Sequence, residues 1–101
     1  MKIERIIQIL NNREYTKVEE SRFAFSQLLD ITTRNGGEIR LEKASTLLSK
    51  KFIFKLYLYV PGTKTLIKWW SLDSKSPYYN ELDNIFDELL DFKNTKYEKY
   101  F

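Results

Sequence analysis

The sequence predicts an α+β domain in which an N-terminal helix precedes a three- to four-stranded antiparallel sheet and a C-terminal amphipathic helix follows it. Apolar residues recur at helical spacing in residues 2–11 and 82–89, whereas apolar and polar residues alternate in residues 52–60. The 101 residues, of which 43% are hydrophobic, can fill one core but not two. Residues 1–101 are therefore predicted to form a single domain.

Residues 2–11 predict the N-terminal helix, which Asn11 and Asn12 end. Its apolar face comprises Ile3, Ile6, Ile7 and Leu10. Charged and polar side chains occupy the opposite face, as in an amphipathic helix that packs on a core.

Residues 17–30 permit two predictions. Thr16 and Glu19 have the spacing of a capping box, which would start a helix, but the apolar residues that follow alternate as in a strand. We favour the strand, because the Asn-Gly-Gly segment at 35–37 lies between β-branched residues and accepts the positive φ angles of a tight hairpin turn. A strand gives a four-stranded sheet, whereas a helix over residues 17–30 would leave three strands.

Residues 52–60 predict the clearest strand of the chain. Its even-numbered residues are the predicted core, namely Phe52, Phe54, Leu56, Leu58 and Val60. Its odd-numbered residues point to the other face, namely Ile53, Lys55, Tyr57 and Tyr59. Pro61 and Gly62 supply the φ angles of a type II turn, so residues 65–72 are predicted to return as the antiparallel partner.

Ser76 and Pro77 predict the N-cap and the first residue of the last helix, which extends to about Phe92. The buried stripe of this helix comprises Leu82, Ile85, Phe86 and Leu89. Residues 94–101 form an aromatic tail that either packs on the body or extends into solvent.

The missing residue types narrow the function. The chain has neither cysteine nor histidine, so it lacks a thiol nucleophile, the commonest metal ligand and the usual proton shuttle at neutral pH. We therefore expect no enzyme, no metal and no cofactor.

The sequence has no long apolar run, and Lys2, Glu4 and Arg5 place charge at its start, so we expect neither a membrane span nor a secretory signal. A cytoplasmic location is the default expectation.

Charge is segregated along the chain. Residues 34–68 carry eight Lys and Arg against two Glu, a net charge of +6, while residues 73–92 carry six Asp and Glu against one Lys, a net charge of −5. One region therefore suits an acidic partner and the other a basic partner.

A basic and aromatic sheet face is the first candidate site. Its predicted members are Arg40, Lys55, Tyr57, Tyr59, Lys68 and Trp70. Exposed rings can stack on bases while cations follow the phosphates, so this face predicts binding of single-stranded DNA or RNA. Two alternatives stay open: the rings are half-buried beneath the first helix, or they form the seam of a homodimer.

An acidic stripe on the last helix is the second candidate. Asp83, Asp87 and Asp91 are spaced by one helical turn and could engage a basic groove on a partner protein. The alternative is an ordinary solvated helix face.

The first 44 residues carry a family resemblance. The helix leading into the segment Asn12-Arg13-Glu14-Tyr15-Thr16, then Ser26-Gln27-Leu28-Leu29, the glycine turn at Asn35-Gly36 and the strand from Glu38 resemble the N-terminal half of small phage-encoded anti-CRISPR proteins.

The resemblance implies a non-catalytic inhibitor that binds a host defence protein, such as an RNA-guided nuclease, in the bacterial cytoplasm. The relatives are strongly acidic and mimic DNA, whereas this chain is basic outside residues 73–92. The resemblance therefore points to Asp83, Asp87 and Asp91 as the contact residues.

Overall fold

The fold is a single antiparallel sheet with both helices packed on one of its faces, as seen in a computed structural model that describes residues 1–46 and 49–101. The elements are α1 (Ile3–Asn11), β1 (Tyr15–Phe23), β2 (Ser26–Thr33), β3 (Glu38–Thr46), β4 (Ser49–Tyr59), β5 (Leu66–Leu72), α2 (Tyr79–Asn94) and a 3₁₀ helix (Thr95–Tyr100). The strand order is β1-β2-β3-β4-β5. The α+β class is confirmed, but the described residues form five strands rather than three or four.

The additional strand comes from residues 17–30. The segment forms strand rather than helix, as predicted. It forms two strands instead of one, however, because the chain reverses after Phe23 and β1 and β2 make a hairpin in which Phe23 pairs with Ser26. Ala24 has a φ of 51° in this turn. An alanine at positive φ has no sequence signature, because glycine and asparagine are the residues that normally mark such positions. The sequence pattern alone therefore does not predict this hairpin.

The predicted glycine turn between β2 and β3 is confirmed. The Thr33 amide donates a hydrogen bond to the Gly37 carbonyl at 2.9 Å, and the Gly36 amide donates one to the Thr33 carbonyl at 3.0 Å. Gly36 has a φ of +84°, which a side chain would strain.

Both helices bury the predicted stripes. α1 buries Ile6, Ile7 and Leu10, and α2 buries Leu82, Ile85, Phe86 and Leu89. The start of α2 differs from the prediction: the helix begins at Tyr79, and Tyr78 is its N-cap residue. Ser76 instead accepts a hydrogen bond on Oγ from the Tyr78 amide at 3.3 Å, within the turn before the helix.

The core lies between the helices and one sheet face, here called the helix-covered face. On β4 the even-numbered residues Phe54, Leu56 and Leu58 are buried, as predicted. The prediction was wrong for Phe52 and Val60, which are 40% and 38% exposed; Val60 comes directly after the last residue of the strand. Ile53, Lys55, Tyr57 and Tyr59 point to the opposite face.

The 3₁₀ helix carries the aromatic tail. Tyr97, Tyr100 and Phe101 are all exposed, so the tail does not add to the core.

Within the described ranges, neither helix combines the length and apolar character that crossing a membrane requires.

An ion pair attaches α2 to β1. Lys93 donates a hydrogen bond from Nζ to Glu20 at 2.6 Å, and the two side chains are only 19% and 17% exposed. Gln27 donates a second hydrogen bond to the same carboxylate. The bond from Lys93 lowers the pKa of the Glu20 carboxyl below its ordinary value of 4.5, and it outweighs burial, which acts in the opposite direction.

Lys93→Met is expected to lower the free energy of unfolding by about 1–2 kcal/mol at neutral pH, because Glu20 then keeps its charge with one donor fewer. A lowered folded pKa stabilises the protein above the unfolded pKa, and this stabilisation disappears as the pH falls through the folded pKa. Urea unfolding should therefore separate the two proteins at neutral pH and bring them together in acid. Lys99→Met on the exposed tail is the control. An equal loss at both pH values would contradict the ion-pair explanation.

Candidate functional site

The candidate site is the sheet face opposite the helices, here called the open face. Among the described residues of β2 to β5, no side chain on this face is buried, whereas the helix-covered face supplies the core. Lys55, Tyr57 and Tyr59 lie on the open face of β4, as the alternation predicts. Arg40 lies there too, directly across the ladder from Tyr57.

The turn between β4 and β5 forms at Pro61 and Gly62, as predicted. The Thr63 amide donates a hydrogen bond to the Val60 carbonyl at 3.1 Å, and Gly62 has a φ of +73°, as a type II turn requires. A second bond, from the Val60 amide to the Thr65 carbonyl at 2.9 Å, closes the loop into β5.

A β-bulge at the start of β5 decides which residues reach the open face. Tyr59 pairs with Leu66, but Leu58 already pairs with Lys68, so Ile67 is an extra residue without a partner on β4. One extra residue reverses the orientation of every side chain that follows it. Trp69 consequently lies across from Tyr57 on the open face.

The same bulge corrects the predicted site. Lys68 and Trp70 lie on the helix-covered face, across from Leu58 and Leu56, and are not part of one surface with Tyr57. Lys68 Nζ lies 5.1 Å from the Trp70 ring centre and donates a hydrogen bond to the Met1 carbonyl at 3.2 Å. Trp70 packs at the margin of the core.

Three aromatic rings form a row across β4 and β5, here called the ring row. The centres of the Tyr59 and Tyr57 rings are 6.3 Å apart with 20° between their planes, and those of Tyr57 and Trp69 are 6.3 Å apart with 18°. Rings at such separations hold one another in place. Trp69, at one end, is 52% exposed. The row is thus an ordered aromatic surface that solvent can reach.

Acidic side chains lie next to the basic residues beside the ring row. Arg40 makes two hydrogen bonds to the Asp30 carboxylate, at 2.7 and 3.2 Å, and its guanidinium lies 5.8 Å from the Tyr59 ring centre. The bond to Asp30 raises the pKa of the guanidinium. Lys55 lies directly across the ladder from Glu42. The predicted cations are therefore present, but the open face is not basic around them.

Glu42 anchors the centre of this face. Its carboxylate accepts one hydrogen bond from the Tyr57 hydroxyl at 2.8 Å and another from the Ser26 hydroxyl at 2.7 Å. Burial first, and then this bond to Glu42, raise the pKa of the Tyr57 hydroxyl well above its ordinary value. Tyr57 therefore stays neutral at physiological pH and fixed in orientation.

A cavity of about 460 Å³ adjoins the ring row, between β1 and the β4–β5 loop. Its lining includes Lys17, Arg40, Tyr59 and Lys64, together with acidic side chains from β1, β2 and β3. Cations and anions share its walls, so it offers polar contacts of both signs at the edge of an aromatic surface.

The acidic stripe is only partly available. Asp83 forms an ion pair with Lys43 of β3 at 3.1 Å, so the charge of its carboxylate is already paired within the protein. Asp87 and Asp91 are exposed on the outer side of α2. Within residues 1–46 and 49–101, no group of three or more acidic side chains is placed to hold a metal ion.

Trp69, Asp30 and Glu42 are the site residues that sequence reasoning missed. Trp69 was missed because the bulge moves it to the open face. Asp30 and Glu42 were missed because they become neighbours of Arg40 and Tyr57 only through the register between strands. A search for acidic residues at the predicted cross-strand positions of each cation would have found both.

No protein-family model, curated protein or solved structure matches this chain at a significant level.

Proposed function

We propose that this protein is a small, non-catalytic binding protein that docks a partner protein on its open face. The observation that supports this best is the ring row, a partly exposed aromatic surface beside Arg40, whose charge Asp30 already pairs. Protein interfaces are enriched in Tyr, Trp and Arg at their centres, and they bury such groups at little cost when the charges have partners in place. Arg40, held by Asp30 beside Tyr59, fits this description.

The charge pattern favours a protein over a nucleic acid as the partner. Binding to phosphates requires cations that can neutralise them, and this is the main source of affinity for nucleic acids. Arg40 is already bound to Asp30, and Lys55 faces Glu42. A phosphate backbone on this face would also meet the two carboxylates.

The resemblance of the first 44 residues makes a host defence protein the partner class that we propose, with an RNA-guided nuclease as the first example to examine. A phage or mobile element would use such a protein as a stoichiometric inhibitor. The open face would supply the main contact, and Asp87 and Asp91 would supply a secondary acidic contact, since Asp83 is paired with Lys43.

Tyr57→Ala and Tyr59→Ala are each expected to weaken binding to such a nuclease about thirtyfold, the effect of losing an interface hot spot worth about 2 kcal/mol. Calorimetric titration of a panel of purified RNA-guided nucleases, followed by DNA cleavage assays, measures both affinity and inhibition. Tyr97→Ala, on the exposed tail, is the matched aromatic control and should bind as the wild type does. Binding that survives both open-face substitutions, or inhibition without any complex, would refute the proposal.

Binding of single-stranded DNA or RNA is the second candidate, and the near-parallel rings of the ring row favour it. Its signature is quenching of tryptophan fluorescence by an oligonucleotide, with a steep loss of affinity between about 50 and 200 mM salt. If the protein-docking proposal is correct, oligonucleotides produce little quenching at either salt concentration. Strong quenching that Tyr57→Ala abolishes would favour the nucleic acid instead.

A further inference from the structure

The two edges of the sheet differ in how well they are protected against pairing with another strand. β1 carries four charged residues in nine, namely Lys17, Glu19, Glu20 and Arg22. β5 carries one charged residue in seven, Lys68. Proteins commonly protect edge strands with charged side chains, because the outward N–H and C=O groups of an edge can otherwise bind a further strand. By this criterion β1 is a protected edge and β5 is not.

β5 also exposes much of its apolar surface to solvent. Leu66 is 44% exposed, Ile67 61% and Trp69 52%, although all three are large apolar residues. The single cation does not shield the strand, because Lys68 directs its ammonium group to the Met1 carbonyl and the Trp70 ring. Met1 and Val60 extend this exposed apolar surface beyond the strand. An uncovered edge with apolar flanks has the properties of an unfilled strand-pairing site.

We infer that β5 pairs antiparallel with β5 of a second copy of this chain, which joins two five-stranded sheets into one of ten strands. A second copy is the occupant that the strand itself favours, because an antiparallel copy can pair along all seven residues with Lys68 across from a Trp70 ring rather than across from another charge. This inference concerns self-association and does not depend on the partner protein proposed above.

Symmetry restricts the register of such a pair. A two-fold axis that relates antiparallel edge strands runs perpendicular to the sheet, so both copies keep their helices on the same side. The register centred on Lys68 would place two ammonium groups opposite each other, which is unfavourable. The register centred on Trp69 pairs all seven residues and places Lys68 across from Trp70 of the second copy. The two ring rows then meet at the axis and form one continuous aromatic surface.

Sedimentation velocity over a wide range of protein concentration, combined with amide hydrogen exchange, tests this inference without any partner. We expect a monomer–dimer equilibrium in which those amides of Leu66–Leu72 that point away from β4 exchange at least about tenfold more slowly at high concentration. Amides of Tyr15–Phe23, at the other edge, should not change. A dimer whose β5 amides exchange no more slowly than in the monomer would mean that the two ring rows stack face to face instead, and it would overturn the inference. A protein that stays monomeric at all concentrations would overturn it as well.

Trp69→Lys places a like-charged pair at the two-fold axis and is expected to raise the dimer dissociation constant about tenfold or more. Phe23→Lys is the matched control, since Phe23 is 76% exposed on β1 and should leave the dissociation constant unchanged. Far-ultraviolet circular dichroism confirms that both variants fold. Equal effects of the two substitutions, or a β5 that gains protection only when a nuclease is added to monomeric protein, would assign the edge to something other than a second copy.

Discussion

Phe54→Ala is expected to lower the free energy of unfolding by about 3–5 kcal/mol. Phe54 is completely buried on the helix-covered face, and its ring centre lies 5.2 Å from that of Tyr79 and 6.3 Å from that of Phe86. The cavity left by the ring would therefore open where β4 meets the start and the middle of α2. Since a domain of this size has a total stability of only about 5–15 kcal/mol, the variant should be close to unfolding.

Urea denaturation followed by circular dichroism measures this loss. Phe25→Ala is the control, because Phe25 is 64% exposed in the β1–β2 turn and its removal should cost less than about 1 kcal/mol. A loss at Phe54 no larger than that at Phe25 would show that α2 does not pack on β4 as described.

Insertion of one alanine between Lys68 and Trp69 is expected to have an effect of similar size, about 3 kcal/mol or more, because it reverses the orientation of every later residue of β5. With Lys68 still across from Leu58, the new residue would lie across from Tyr57 and Trp69 across from Leu56. Trp70 and Leu72 would then turn from the core to the open face. The strand must either bury Trp69 and Ser71 in their place or separate from β4.

The substitution Ile67→Ser is the control for this insertion, because it keeps the chain length and the register while removing an exposed apolar side chain. Its unfolding free energy should stay within about 0.5 kcal/mol of the wild type. The contact between Tyr57 and Trp69, observed by nuclear Overhauser effects, should persist in Ile67→Ser and disappear in the insertion variant. Persistence of this contact in the insertion variant would mean that the bulge or the β4–β5 loop absorbs the additional residue.

Local periodicity was sufficient to predict the helices and the central strand. The stripes of α1 and α2 recur every three or four residues, and β4 alternates between Phe54, Leu56 and Leu58 and their polar neighbours. Each pattern reflects burial on one face of one element, which the sequence of that element determines. Gly36 and Gly62 likewise marked turns that only a residue at positive φ can complete easily.

Features that depend on pairing between elements were not predictable in this way. The turn at Ala24 lacks a turn residue, so β1 and β2 read as one strand. The bulge at Ile67 has no sequence marker either, although it decides whether Trp69 or Trp70 reaches the open face. The sequence thus identified Arg40, Lys55, Tyr57 and Tyr59 as residues of one face but assigned the wrong tryptophan to it.

The order of the strands has a consequence for synthesis on the ribosome. Every strand pairs with the one made just before it, so the whole sheet can assemble while translation continues. The rings that pack against Phe54, those of Tyr79 and Phe86, belong to residues 79–94, which emerge late. Until α2 has been synthesised, only α1 can cover the apolar face of the nascent sheet. In this period the nascent chain is most prone to aggregate or to need a chaperone.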